Sequence, residues 1–255
     1  MGTSWSNEAN DTSQQSPTQA KPLTPKNDAK LVHSNSNNNN LHNKPNEATK
    51  LLPKLPHNFE AIIKDSDRAI DKSSIEQLYQ QLHAGVYLNG KKKKYWVEKK
   101  GNINCFMMFA NDLSITWADN TNYWNLHNVE TSEDGNITIA QLKNVCWLEV
   151  HGKINTTKLS PGITYQVSYI IKLENTSYGW EVPIKLRLTL PNGTKQEHQE
   201  CLKEKPKEEW VPIRVGEFVA SSENVGDVQF SLFEYEGGNW KKGLVIKGAN
   251  IEPKI

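Results

Sequence analysis

Two indoles and a phenol flank one short polar turn in Trp117-Ala118-Asp119-Asn120-Thr121-Asn122-Tyr123-Trp124. An indole offers a flat apolar face, while Asp119 and Asn120 offer a carboxylate and an amide close to its rim. That combination suits a ring with one apolar face and a polar edge, of which a pyranose is the commonest soluble example. Its axial C–H bonds pack on the indole, and its hydroxyls need the polar partners. Indoles also bury their large area well in a core, so packing and binding both stand open for Trp117 and Trp124. Glu234 and Glu236, beside Gly237-Gly238 at the end of an apolar strand-like run, are a second source of rim acceptors or else solvated strand-end charges.

Asp119 with Glu234 makes two carboxylates near a sugar platform, the minimum a glycosidase needs. Nothing in the sequence sets them face to face, so no catalytic residue is assigned. Lys91-Lys92-Lys93-Lys94, followed by Tyr95 and Trp96, has a different chemistry: ammonium groups for phosphates and rings for bases. It supports an alternative reading as an RNA-binding protein, against the plainer one of a solvated turn. The three cysteines are odd in number and widely spaced, which fits neither a disulfide framework nor a C-x-x-C metal site. No metal and no cofactor are expected. Cys105 and Cys146 lie in apolar runs and are expected to be buried, whereas Cys201 lies among charges and is expected to react.

The elements that position these groups follow from periodicity. Leu113, Ile115 and Trp117 share one parity and Ser114 and Thr116 the other, the pattern of a half-buried strand running into the Asp119–Asn122 turn. Before it, Val86-Tyr87-Leu88 and Tyr95-Trp96-Val97 flank an Asn89-Gly90 turn and predict a hairpin. Cys105 to Phe109 is a continuous apolar strand. After it come strands at Ile137–Leu142, Val145–Val150, Tyr165–Leu173, Ile184–Leu190, Val211–Val219, Val228–Tyr235 and Leu244–Ile251, punctuated by Asp134-Gly135, Pro191-Asn192-Gly193 and Gly237-Gly238. This spacing predicts an all-β sandwich over residues 85–255.

Ahead of the strands, residues 56–84 have a helical pattern in Ile62, Ile63, Ile70, Ile75, Leu78, Tyr79 and Leu82, with Ser73 or Ser74 as a cap. Residues 1–55 are rich in Asn, Ser, Thr, Gln, Lys and Pro without apolar periodicity, and are expected to form a disordered tail. They also lower the whole-chain mean hydropathy to -0.69.

Net charge is +1 over 255 residues, so no global field recruits nucleic acid or membrane. No apolar run reaches the roughly 20 residues of a membrane span. Met1 to Ser6 lacks the charged and apolar regions of a secretory signal, which predicts a cytoplasmic protein and leaves the sequons at Asn10, Asn136, Asn155, Asn175 and Asn192 unmodified. Gly2 with Ser6 meets only the loose pattern for myristoylation.

In order along the chain, Lys94-Tyr95-Trp96-Val97-Glu98, Cys105-Phe106-Met107, Leu113 to Trp117 running to Tyr123-Trp124, Val145 to Gly152, Trp210 through Phe218, and Gly238-Asn239-Trp240 through Pro253-Lys254 resemble the plant phloem protein 2 lectins, to which the tobacco jasmonate-inducible lectin is related. The resemblance covers about Leu82 to Ile255. It implies a jelly-roll-like sandwich that binds N-acetylglucosamine oligomers (chitin oligosaccharides) or N-glycan cores without catalysis, as a homodimer, in the cytosol, nucleus or phloem sap, with links to RNA movement. It also implies that Trp117 and Trp124 sit at the sugar site, with Tyr123, Asp119 and Asn120 in support. The family's Trp-Gly-Asp is Trp117-Ala118-Asp119 here, and its Arg-Tyr-Trp is Asn122-Tyr123-Trp124. The first change stiffens the turn and the second removes a bidentate donor.

Overall fold

The computed structural model describes residues 54–254. The expected tail lies outside the described residues except for its last two positions. There the Lys54 carbonyl accepts hydrogen bonds from the Tyr79 hydroxyl and the Asn102 amide, so the chain is tied to the domain slightly before residue 55. The lead-in is two short helices, α1 (Phe59–Ile62) and α2 (Ile75–Ala84), where the apolar spacing suggested more continuous helix. The residues between them brace the sheet instead, because the Asp67 carboxylate accepts from the Gly90 and Lys91 N–H groups at 2.6 and 2.7 Å and closes the first hairpin turn. Ser74 caps α2 by accepting from the Gln77 N–H at 3.1 Å. Gly85, at φ +96°, releases the chain into the sheet.

From there the described chain is β1 (Val86–Leu88), β2 (Lys93–Glu98), β3 (Ile103–Phe109), β4 (Ser114–Ile115), β5 (Trp124–Thr131), β6 (Gly135–Leu142) and β7 (Leu148–Asn155). It continues as β8 (Thr164–Tyr178), β9 (Ile184–Thr189), β10 (Lys195–Glu200), β11 (Val211–Val219), β12 (Asp227–Glu234) and β13 (Lys242–Pro253). One sheet has the order β1-β2-β3-β13-β6-β5, with β8 joining β13 to β11; the other has the order β10-β9-β12-β7-β4. These ladders are antiparallel.

Alternation places Tyr95, Phe106, Met108, Tyr169 and Ile171 of the first sheet in one core with Val150, Leu186, Phe230 and Leu232 of the second. The Tyr169 hydroxyl crosses between the sheets and lies 3.2 Å from the carbonyls of both Val150 and Phe230. This is the jelly-roll-like β-sandwich the sequence predicts. From Cys105 to Phe109 β3 is apolar on both faces because its outer face contributes Met107 and Phe109 to a second cluster with Ile137, Ile139 and Val245 on the outside of the larger sheet.

Cys105 is buried, and burial pushes its thiol up to about 12; Cys201 is exposed. Cys146 is only half-buried, a correction to the sequence reading: the strand expected over Val145–Val150 begins at Leu148, and Cys146 sits in the connection before it. No helix among the described residues is long and apolar enough to cross a membrane.

Candidate functional site

β4 ends early because the chain leaves the ladder at Trp117. The Thr116 N–H still donates to the Glu149 carbonyl of β7 at 3.0 Å, but Trp117 has φ +60°, a left-handed conformation that a bulky L-residue rarely adopts. Turn bonds hold it there: Ala118 N–H to Ile115 O at 3.1 Å, Asn120 N–H to Trp117 O at 3.0 Å, and Asn122 N–H to Asn120 Oδ1 at 3.0 Å. The Asn120 side-chain oxygen is therefore spent on shaping the loop. Because the positive φ falls on Trp117 and not on Ala118, this turn does not require a glycine at 118. Strain of this sort costs on the order of 1–3 kcal/mol and concentrates at binding sites.

Trp117 is 44% exposed and packs on Tyr123, ring centroids 5.3 Å apart at 41°. Asp119 is exposed beside them. Trp124 is not part of this surface. It opens β5 paired to Leu142, is 1% exposed, and presents no face to solvent, so the two indoles do not make one platform.

A second aromatic group lies at the neighbouring ends of β7 and β12. Trp147, 40% exposed just before β7, stacks on Tyr235 with centroids 4.3 Å apart at 14°. Tyr235 stacks in turn on Phe233 at 5.5 Å, and the Arg187 guanidinium lies 4.8 Å over that ring. Between this stack and the Trp117 loop is Glu149. Its Oε2 accepts from Trp147 Nε1 at 2.9 Å and from Thr116 Oγ1 at 3.1 Å; its Oε1 is 3.0 Å from His151 Nε2. The Trp147 bond, with those of His151 and Thr116, holds the Glu149 carboxyl below the usual range against a smaller opposing effect of burial.

His151 Nδ1 is also 2.8 Å from Ser231 Oγ, which completes a serine–histidine–glutamate chain. It is not built as a nucleophile. Ser231 is in the middle of β12, laddered to β7 on one side and β9 on the other, so the nearby backbone N–H groups are spent on strand pairing and are not aimed at an oxyanion. The signal for this cluster is in the sequence: Trp147, Glu149 and His151 share the parity opposite to buried Leu148 and Val150.

Glu234 and Glu236 are taken up structurally. Glu234 is 5% exposed and pairs with Lys241, itself 0% exposed, whose ammonium also donates to the carbonyls of Cys146 and Asn239 at 2.9 and 2.8 Å. Glu236 pairs with Lys185 at 2.7 Å. Asp119 therefore has no free Glu234 as a catalytic companion. In the basic run, Lys93 pairs with Asp112 at 3.0 Å and Lys94 with Asp134 at 2.9 Å, and Lys91 donates to the Asn136 carbonyl at 3.1 Å; Lys92 is exposed.

The family described as Phloem protein 2 matches residues 103–253. Protein PHLOEM PROTEIN 2-LIKE A1 of Arabidopsis thaliana is 48% identical over 204 residues, covering 79% of this chain and 82% of its own. A protein named Lectin from Luffa acutangula is 40% identical over 206 residues, covering 79% of this chain and 96% of its own. Among solved structures, a xylan-binding domain from Paenibacillus barcinonensis is 12% identical over 57% of this chain and 87% of its own with a TM-score of 0.34, too remote to bear on the ligand.

Proposed function

Because the chain belongs to the phloem protein 2 family, we propose that it is a carbohydrate-binding lectin whose site is the surface formed by Trp117, Tyr123 and Asp119 with Trp147, Tyr235 and Glu149. The observation that carries this reading is the fixed carboxylate of Glu149, bonded to the exposed Trp147 indole and to Thr116, the residue before exposed Trp117 in its strained backbone. The ligand is an N-acetylglucosamine oligomer or N-glycan core. The pyranose face packs on indole, and the acetamide needs an acceptor for its N–H and an apolar wall for its methyl. Glu149 has about four acceptor directions and spends three, so one remains for that N–H. The protein binds and does not cleave.

Titration with the N-acetylglucosamine trimer tests the proposal. Trp147→Ala should weaken binding tenfold or more, about 1.4 kcal/mol, without release of new reducing ends by the parent protein. If Trp117→Ala and Trp147→Ala both stay folded and bind like the parent, the site is elsewhere. The same reading has the protein work as a homodimer in the cytosol, phloem sap or nucleus, which light scattering and a fluorescent fusion check. RNA binding through Lys91–Lys94 gains no support from the geometry, since Lys93 and Lys94 already have carboxylate partners. A steep fall of RNA affinity with salt would revive it.

A further inference from the structure

The outer face of the larger sheet carries a groove of about 480 Å³, within the range of small-ligand sites. Its position follows from register. Lys94 on β2 pairs with Met107 on β3, Met107 with Asn250 on β13, and Asn250 with Ser168 on β8, so these side chains form one cross-strand row facing away from the core that Tyr95, Met108 and Ala249 fill. Trp96 and Trp210 line the groove above a floor of Met107 and Ile170; Trp210 is 36% exposed. Asn250 supplies an amide that both donates and accepts. His83 supplies an acceptor: its Nδ1 is 3.0 Å from the Val97 carbonyl, which can only accept, so in the neutral ring Nε2 is left with a lone pair.

Charge decides the class of ligand. Lys94 and Lys247 both face the groove, but Asp134 takes Lys94 on one oxygen at 2.9 Å and Lys247 on the other at 2.7 Å, and Glu133 lies 3.6 Å from Lys247. Lys172, 5.1 Å over the Trp210 ring, has Glu208 at 3.9 Å. Each ammonium thus has a carboxylate, and the groove carries no net charge to attract an anion. Indole faces with uncharged donors and acceptors between them suit a neutral polyhydroxylated ring.

We infer that this groove is a second saccharide site for neutral pyranose oligomers, on the opposite outer face of the sandwich from Trp147 and Glu149. One chain is then bivalent and can link two glycans without a partner subunit. The inference does not depend on the first site. Calorimetric titration with the N-acetylglucosamine trimer, and separately with cellotriose, tests it on the full chain and on Trp210→Ala, Asn250→Ala and Trp147→Ala, with thermal unfolding of each.

The expected result is two sites per chain for the parent across the two sugars, loss of one in Trp210→Ala and at least a tenfold weakening of that same one in Asn250→Ala. Affinity there should change less than twofold between low and high salt. A single site that survives Trp210→Ala and Asn250→Ala but vanishes in Trp147→Ala overturns the second site and leaves the proposed function standing. The reverse pattern removes the first site and keeps this one. A steep salt dependence at the groove refutes the assignment to a neutral ligand.

Discussion

At the scale of single residues, the tryptophans divide by environment and not by sequence motif. Trp117 and Trp124 are equivalent on paper, both beside a polar turn, and only the direction of the chain separates them: Trp117 is turned out by its left-handed backbone and Trp124 is drawn in by its ladder to Leu142. Trp124→Ala should cost roughly 3–5 kcal/mol of stability, as large core truncations do. Trp117→Ala should lose little stability, since its ring is half in water, and Trp117→Gly should gain by removing the strain of a positive φ. Denaturant unfolding of the three variants checks the order; equal losses for Trp117→Ala and Trp124→Ala contradict the division. The sequence places Trp117, Tyr123 and Asp119 in one loop but leaves packing and binding both open for Trp117, and the structure puts its ring 44% exposed. The sequence could not reveal that Glu234 is occupied by Lys241, because that pair depends on a contact between a strand end and the loop after it.

At the scale of elements, alternation and turn residues were enough for most strands. β11 has the expected bounds, and β6, β8, β9, β12 and β13 differ from expectation mainly at their ends. β5 and β10 were not legible. β10 is Lys195-Gln196-Glu197-His198-Gln199-Glu200, with no apolar periodicity, because it is an edge strand held by its ladder to β9 and its charges discourage further pairing. Cys146 shows the same limit in reverse: its apolar neighbours suggest a strand, yet only Val145 bridges, to Lys241, before β7 begins. Thiol labelling of the native protein should therefore be fast at Cys201, slower at Cys146 and absent at Cys105 until unfolding, since Cys105 is buried with its thiolate disfavoured. Mass spectrometry of peptides over time reads the order, and early modification of Cys105 would falsify it.

At the scale of the whole molecule, residues 54–254 contain their own core and their own boundary bonds at Lys54, so a chain starting at Lys54 should fold and keep glycan binding, with a melting temperature close to that of the full chain. Within it, Asp134 joins parts far apart in sequence. It sits between β5 and β6, pairs with Lys94 of β2 and Lys247 of β13, and its carbonyl accepts from the Tyr87 hydroxyl of β1 at 2.7 Å. Burial alone would raise its carboxyl; the bonds from Lys247 and Lys94 outweigh burial and lower it. A carboxylate whose folded-state value is depressed stabilises fully above its unfolded value and loses that contribution as pH falls through the folded one. Parent stability should thus hold from neutral pH to about pH 4 and then decline. Asp134→Ala leaves both ammonium groups without this partner and should cost about 3 kcal/mol at neutral pH, the low end for a broken buried pair because Lys94 and Lys247 keep some exposure. Its loss below pH 4 should be shallower than the parent's, because the titrating group is gone. Chemical unfolding of both proteins from pH 7 down to pH 2.5 separates the two effects: equal stability at pH 7 removes Asp134 as a tie between the strands, and parallel acid declines assign the acid sensitivity to other carboxylates.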